Sequence, residues 1–134
     1  MAAWRDRALL SGRLLTGRDV AHKRIIELLA RDEPLSPGVD FTNCFIYYVG
    51  PGDPVREEVV GPAGPTTATR MDKFTEIMLA QGGLIGMISK AVRGKDGIEA
   101  IKNHGAVYLI AIGGAAYLVW AWKRFTNLKL RICR

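Results

Sequence analysis

From Ala106 to Trp122 no charged or strongly polar side chain interrupts the chain. His104 precedes this run and Lys123-Arg124 follow it. Its length sits at the lower edge of a bilayer-spanning helix. Its internal pattern reads better as a buried strand followed by a helix. Val107, Tyr108, Ile110 and Ile112 are β-branched or aromatic, the types that fit a pleated surface. Gly113-Gly114 falls midway, where a strand-to-helix turn would stand. The expectation is a strand to Ile112, a helix from about Ala115, and no membrane span.

The rest of the chain alternates in the same way. Ala8 to Thr16 reads as a short strand or an extended entry. Asp19 is placed to cap a helix to about Arg31, with Ala21, Ile25, Leu28 and Leu29 as its apolar face. Pro34 and Pro37-Gly38 end that helix. Phe45 to Val49 is β-prone, and Val55 to Val60 is a further extended candidate. The loop 61–67, GPAGPTT, cannot continue a helix or a central strand. A helix from about Thr69 to Gln81 buries Met71, Phe74, Ile77 and Met78, and Gly82-Gly83 stops it. Leu84 to Ser89 is β-prone. Asp96 and Glu99 have capping-box spacing for a helix to about Asn103, closed by Gly105. Helix–strand alternation of this kind argues an α/β layer architecture with parallel pairing.

At 134 residues the chain is about one small domain. Apolar residues make up 49% and charged residues 24%, enough buried surface to exclude disorder. Cys44 and Cys133 are too few for a disulfide scaffold, a structural zinc site or an iron–sulfur cluster. Cys44 is expected as a buried small hydrophobe. The net charge of +6 would suit nucleic acid or an acidic membrane. Five of those charges, however, lie in Lys123, Arg124, Lys129, Arg131 and Arg134 at the end of the chain. The remainder is nearly neutral, and the nucleic-acid reading weakens accordingly. The N-terminus lacks the apolar core of a secretory signal.

Three stretches carry chemistry. In residues 61–72, GPAGPTTATRMD, a Gly/Pro loop feeds a helix N-terminus, with Thr66 and Thr67 at the entry and Arg70 in the first turn. Free N–H groups and the helix dipole favour an anion there. Arg70 adds bidentate carboxylate or phosphate recognition. The plain alternative is a turn, a capping Thr and a solvated Arg. No Gly-Lys-Ser/Thr follows, so this is not a Walker loop. In residues 16–24, TGRDVAHKR, Arg18 stands just before a helix start, and His22 one turn in is expected as a solvated face residue. Asp19 reads as a cap rather than an acid catalyst. In residues 88–94, ISKAVRG, Lys90 follows a strand directly, at the edge where α/β sheets gather ligands. Ser89 has no evident His partner, and His104 is placed to meet a helix C-terminus.

These stretches, in this order, resemble the C-terminal domain of class I (iron–sulfur) fumarate hydratases, which also occurs as the β subunit of two-subunit fumarases and tartrate dehydratases. The matching residues are LLTGRDVAHKRI (14–25), FIYYVGP (45–51), GPTTATRMDKF (64–74), Lys90 and HGAVYLIAIGGAA (104–116). The resemblance implies a swivelling β/β/α domain and a lyase that reversibly removes water from malate to give fumarate. It implies a [4Fe–4S] cluster on a separate N-terminal domain or α subunit, whose open iron acts as Lewis acid on the departing hydroxyl. It also implies an oligomeric full enzyme, cytoplasmic, binding no nucleic acid. By position, Arg18 and Arg70 would clamp the carboxylates of a dicarboxylate, and Lys90 would neutralise carboxylate charge. Thr66 would be the base at C3, with Thr67 as its positioning neighbour. A threonine hydroxyl is a weak base unless another group activates it.

The resemblance covers about residues 8–119 and fades near Val119. Residues 1–119 are therefore expected as a partial domain of this type, incomplete at its C-terminus, and 120–134 as a divergent basic tail. With no cluster-bearing half, the chain would be inactive alone. Tartrate dehydration and non-catalytic dicarboxylate binding remain as alternatives, and a membrane anchor through 106–122 as a more distant one.

Overall fold

A computed structural model describes residues 14–35, 39–50 and 64–111, together with Leu10 and Asp53. In chain order the elements are β1 (Leu14–Gly17), α1 (Asp19–Ala30), β2 (Phe45–Tyr48), a 3-10 turn (Ala68–Met71), α2 (Asp72–Ala80), β3 (Gly86–Ser89), α3 (Lys95–Asn103) and β4 (Val107–Ile110). The strands form one sheet in the order β1-β2-β3-β4, and every neighbouring pair is parallel. Parallel neighbours need a crossover, and each helix supplies one. Each crossover steps one strand in the same direction, so a uniform crossover hand sets all three helices on one face.

Strand alternation shows which face that is. Leu15, Ile46, Tyr48 and Met87 join Ile25 of α1, Met71 of the 3-10 turn, Met78 and Leu79 of α2, and Ala100 of α3 in one buried cluster. Full burial of an Ile- or Met-sized side chain is worth about 1.5–3 kcal/mol, and this cluster is what joins helices to sheet. The opposite face carries Tyr47 and Val49, with Leu14, Ile88 and Ala111 against them. Gly86 pairs with Phe45, whose ring occupies the space a side chain at 86 would need.

The α/β expectation holds, and its parallel pairing extends to every strand pair described. Several local expectations change. Asp19 does not cap α1: Arg18 is the N-cap residue, and no side chain bonds there. The helix expected from Thr69 begins instead as a 3-10 turn, without a capping threonine hydroxyl. Its buried stripe is centred on Met71, Thr75, Met78 and Leu79, while Phe74 and Ile77 stand at its margin. Asp96 lies inside α3, which starts at Lys95 after Gly94, so the Asp96–Glu99 capping box is not formed. His22 is fully buried rather than solvated. The reason is register: position 22 falls one turn before Ile25 and two before Leu29, on the apolar face of α1. Cys44 is half-buried at the core's margin.

Gly83 at φ 72° and Gly105 at φ 59° take the left-handed turns that close α2 and α3, where a Cβ would be strained. Of the long apolar run, Val107–Ile110 is strand. No described helix is long and apolar enough to cross a membrane. The expected strand 55–60, the helix from Ala115, Cys133 and the tail 120–134 lie outside the described residues.

Candidate active site

In an all-parallel sheet the carboxyl ends of the strands share one edge, and loops beyond that edge converge. Arg18 leaves β1 there, Val49-Gly50 leave β2, and Lys90 leaves β3. The segment 65–67 is threaded between the ends of β2 and β3. Pro65 bridges Val49 in antiparallel fashion, and Thr67 bridges Lys90 in parallel fashion. The Thr66 N–H donates to the Tyr48 carbonyl at 2.7 Å, and the Lys90 N–H donates to the Thr66 carbonyl at 3.2 Å. The Ala68 N–H returns to the Lys90 carbonyl at 3.1 Å. The Ser89 hydroxyl also donates to the Thr66 carbonyl. The prolines and glycines of this segment fit such a path, since proline cannot supply a ladder donor.

Thr66, Thr67, Lys90 and Arg18 thus meet at one edge, and Arg70 follows them in the 3-10 turn. Arg18 and Lys90 are exposed, and the two threonines half-buried. The Arg18 guanidinium lies against Gly50, where a Cβ would overlap it. Arg70 pairs with Asp19 at 3.0 Å. Arg70 is 65% exposed, so this ion pair is worth no more than about 1 kcal/mol, and an incoming carboxylate can replace Asp19 at little cost. The acid expected to cap α1 instead orients the second arginine.

Behind this edge lies a buried layer that the sequence reading missed. The His22 backbone N–H donates to the Arg18 carbonyl at 3.1 Å, and Nδ1 lies 3.2 Å from the same oxygen. A carbonyl only accepts, so Nδ1 carries the proton. The ring stands edge-on to Tyr48 at 5.2 Å and beside Phe74 at 5.8 Å. Burial lowers its pKa to about 4, against the opposing pull of the Arg18 carbonyl and Asp19. His22 is therefore neutral near pH 7 and braces the backbone of Arg18.

Arg93, its side chain 2% exposed, is the second buried group. Its Nε meets Asp72 Oδ1 at 2.8 Å, and Nη2 donates to the Thr75 hydroxyl. That hydroxyl donates to the Met71 carbonyl at 3.0 Å. Asp72 Oδ2 accepts the Gly94 N–H at 2.7 Å. The guanidinium lies 5.7 Å from the Tyr48 ring and 5.4 Å from the Tyr108 ring. Burial raises the pKa of both tyrosines, opposed by the Arg93 charge. This network ties the start of α2, just after Arg70, to the loop after Lys90. Its one trace in the sequence is Gly94 and Gly97: a Cβ at either would collide with the Asp72 carboxylate.

His104 ends α3, as expected, and reaches Glu76 of α2 at 2.8 Å. Among the described residues no three His, Cys, Asp or Glu side chains form a set able to hold a metal ion, and Cys44 stands alone. An iron–sulfur cluster does not fit these residues.

The family described as "Fumarase C-terminus" matches residues 2–128. "Fumarate hydratase 2" of Leishmania major is 37% identical over 113 residues, 84% of this chain and 20% of the relative. "Fumarate hydratase class I, aerobic" of Escherichia coli is 38% identical over 110 residues, 82% of this chain and 20% of the relative. "Putative L(+)-tartrate dehydratase subunit beta" of Methanocaldococcus jannaschii is 34% identical over 126 residues, 92% of this chain and 64% of the relative. The chain thus spans about a fifth of the length of these fumarate hydratases. On the extent of the family match, the chain belongs to the fumarase C-terminus family.

Proposed function

We propose that this chain is the substrate-binding half of a hydro-lyase that interconverts malate and fumarate. The observation that carries this reading is the threading of 65–67 between β2 and β3. It sets two hydroxyls and Lys90 beside two arginines at a single sheet edge. Such a set suits a small dicarboxylate. Arg18 and Arg70 each offer a planar fork to a carboxylate, and Lys90 offers a point charge. In dehydration the C3–H bond gives its proton to a base and the C2–O bond breaks to release hydroxide; that hydroxide and the proton, passed on from the base, together make up the water lost. Negative charge developing at C3 spreads into the adjacent carboxylate, which a held cation stabilises. Lys90 and the arginines fill that role, Thr66 takes the C3 proton when a neighbouring group activates it, and Thr67 positions Thr66.

In this reading a [4Fe–4S] cluster belongs to a partner domain or subunit, supplying a Lewis acid for the departing hydroxyl. The chain works in the cytoplasm as part of a larger, oligomeric enzyme. A tartrate dehydratase role is the second reading, favoured by the greater share of that β-subunit relative which the chain spans.

The test mixes the chain anaerobically with a cluster-bearing N-terminal half and follows fumarate by its ultraviolet absorbance. Malate turnover that is lost on Arg18→Ala and Arg70→Ala is expected. Turnover of tartrate alone favours the second reading. Dicarboxylate binding with no turnover beside an intact cluster would leave only a binding fragment.

A further inference from the structure

Three non-glycine residues among those described have positive φ: Asp32, Asn43 and Ala91. Asp and Asn tolerate the left-handed region through local side-chain bonds, but alanine has no such means. Ala91, at φ 65°, follows Lys90 directly. Something outside the turn must hold it.

The group that does so lies on the next strand. The Tyr108 hydroxyl donates to the Ala91 carbonyl at 2.7 Å and lies 3.5 Å from the Lys90 carbonyl. Tyr108 cannot swing freely, because Arg93 lies against its ring and is itself held by Asp72 and Thr75. On its other side the Lys90 peptide is bonded to Thr66 and Ala68, as described above. The φ of Ala91 sets the orientation of the Lys90 carbonyl that receives the Ala68 N–H. That residue opens the turn carrying Arg70.

We propose that Tyr108 is a positioning residue: its hydroxyl holds Ala91 left-handed and so fixes Lys90 against the Thr66–Ala68 segment. Its relevance to turnover rests on the reading of Lys90 as a carboxylate-binding group.

The experiment measures residue-level amide exchange by NMR on the full chain. It compares the parent with Tyr108→Phe, Ala91→Gly and the double variant. Loss of one hydrogen bond predicts about tenfold faster exchange at the Lys90 and Ala68 amides in Tyr108→Phe. The His22 amide in α1 is expected to keep its parent rate. Glycine accepts positive φ without strain, so Ala91→Gly in the Tyr108→Phe background is expected to restore protection. If Tyr108→Phe alone does not fold, a folded double variant is the same rescue. Unchanged exchange at Lys90 and Ala68, equal acceleration throughout the chain, or absence of rescue would each overturn the proposal.

With a cluster-bearing partner, Tyr108→Phe is also expected to raise the KM for malate more than it lowers kcat, with rescue by Ala91→Gly. Suppose exchange behaves as expected while Lys90→Met leaves malate turnover intact. The positioning role then stands, and the substrate reading of Lys90 falls.

Discussion

Removal of the Asp72 carboxylate is the perturbation that most directly tests the account of the buried layer. Asp72→Ala leaves the Arg93 guanidinium, 2% exposed, with the Thr75 hydroxyl and two aromatic faces but no counter-charge. It also frees the Gly94 N–H that Oδ2 accepts. Breaking a buried pair from one side costs about 3–5 kcal/mol, chiefly through the charge left behind. A small domain has only about 5–15 kcal/mol in total. In urea melts the midpoint should therefore fall by about a fifth of its value or more, with little change in slope. Arg93→Met removes the other charge and keeps an apolar body between the tyrosines. The double variant has no orphaned charge, and its loss should be well below the sum of the singles, with coupling of about 2 kcal/mol or more. The coupling should persist at high salt, because buried pairs are poorly screened. If Asp72→Ala costs under about 1 kcal/mol, or the singles add, the pair is solvated and the reasoning fails.

Acid should weaken the fold through His22, whose pKa falls from 6.5 to about 4 on burial. The unfolded chain binds the proton first, so the associated stability is intact above about pH 6.5 and lost as pH falls toward 4. That loss is roughly 3 kcal/mol, and a His22→Phe variant melted across this range should show a flatter profile. Gly50→Ala should leave the melting midpoint within a few degrees yet weaken dicarboxylate binding, because the new methyl displaces the Arg18 guanidinium. Calorimetric titration with malate in the assembled enzyme checks it, and parent-like affinity would remove Arg18 from the site. Arg70→Ala should cost under about 1 kcal/mol of stability, since its pair with Asp19 is exposed. Its turnover should nevertheless drop by about 10²–10³, as expected on removing a group that stabilises developing charge.

The layer architecture was legible because helix and strand periods alternate and glycines punctuate them. Of the apolar run at 106–122, the strand at Val107–Ile110 was legible in its β-branched content. Arg18, Thr66, Thr67 and Lys90 were legible as loop residues beside strand or helix ends, and Arg70 as a residue of a first helical turn. Their convergence was legible only through the family resemblance and not from local pattern, because it depends on backbone bonds between segments far apart in sequence. His22 misled because a polar side chain on a helix is ordinarily solvated, whereas here the Arg18 carbonyl takes its Nδ1–H and the rings of Tyr48 and Phe74 lie beside it. Arg93 was invisible for a related reason. Its partners Asp72 and Thr75 stand on α2, and nothing local distinguishes a buried arginine from a surface one. Capping signals failed at Asp19 and Asp96 because each acid lies one or two positions inside its helix.

The segment threaded between β2 and β3 is held almost wholly by its own peptide groups: Thr66 to Tyr48, Lys90 to Thr66, Ala68 to Lys90. The scaffold therefore does not depend on the side chains at 66, 67 and 90 for its shape. Substitutions there act as changes of chemistry more than of fold, at position 90 for the small stability cost of an exposed site. On the proposed function, a frame of this kind could pass from one hydroxy-acid substrate to another by exchanging a few side chains, while its hydrogen-bonded path stays the same.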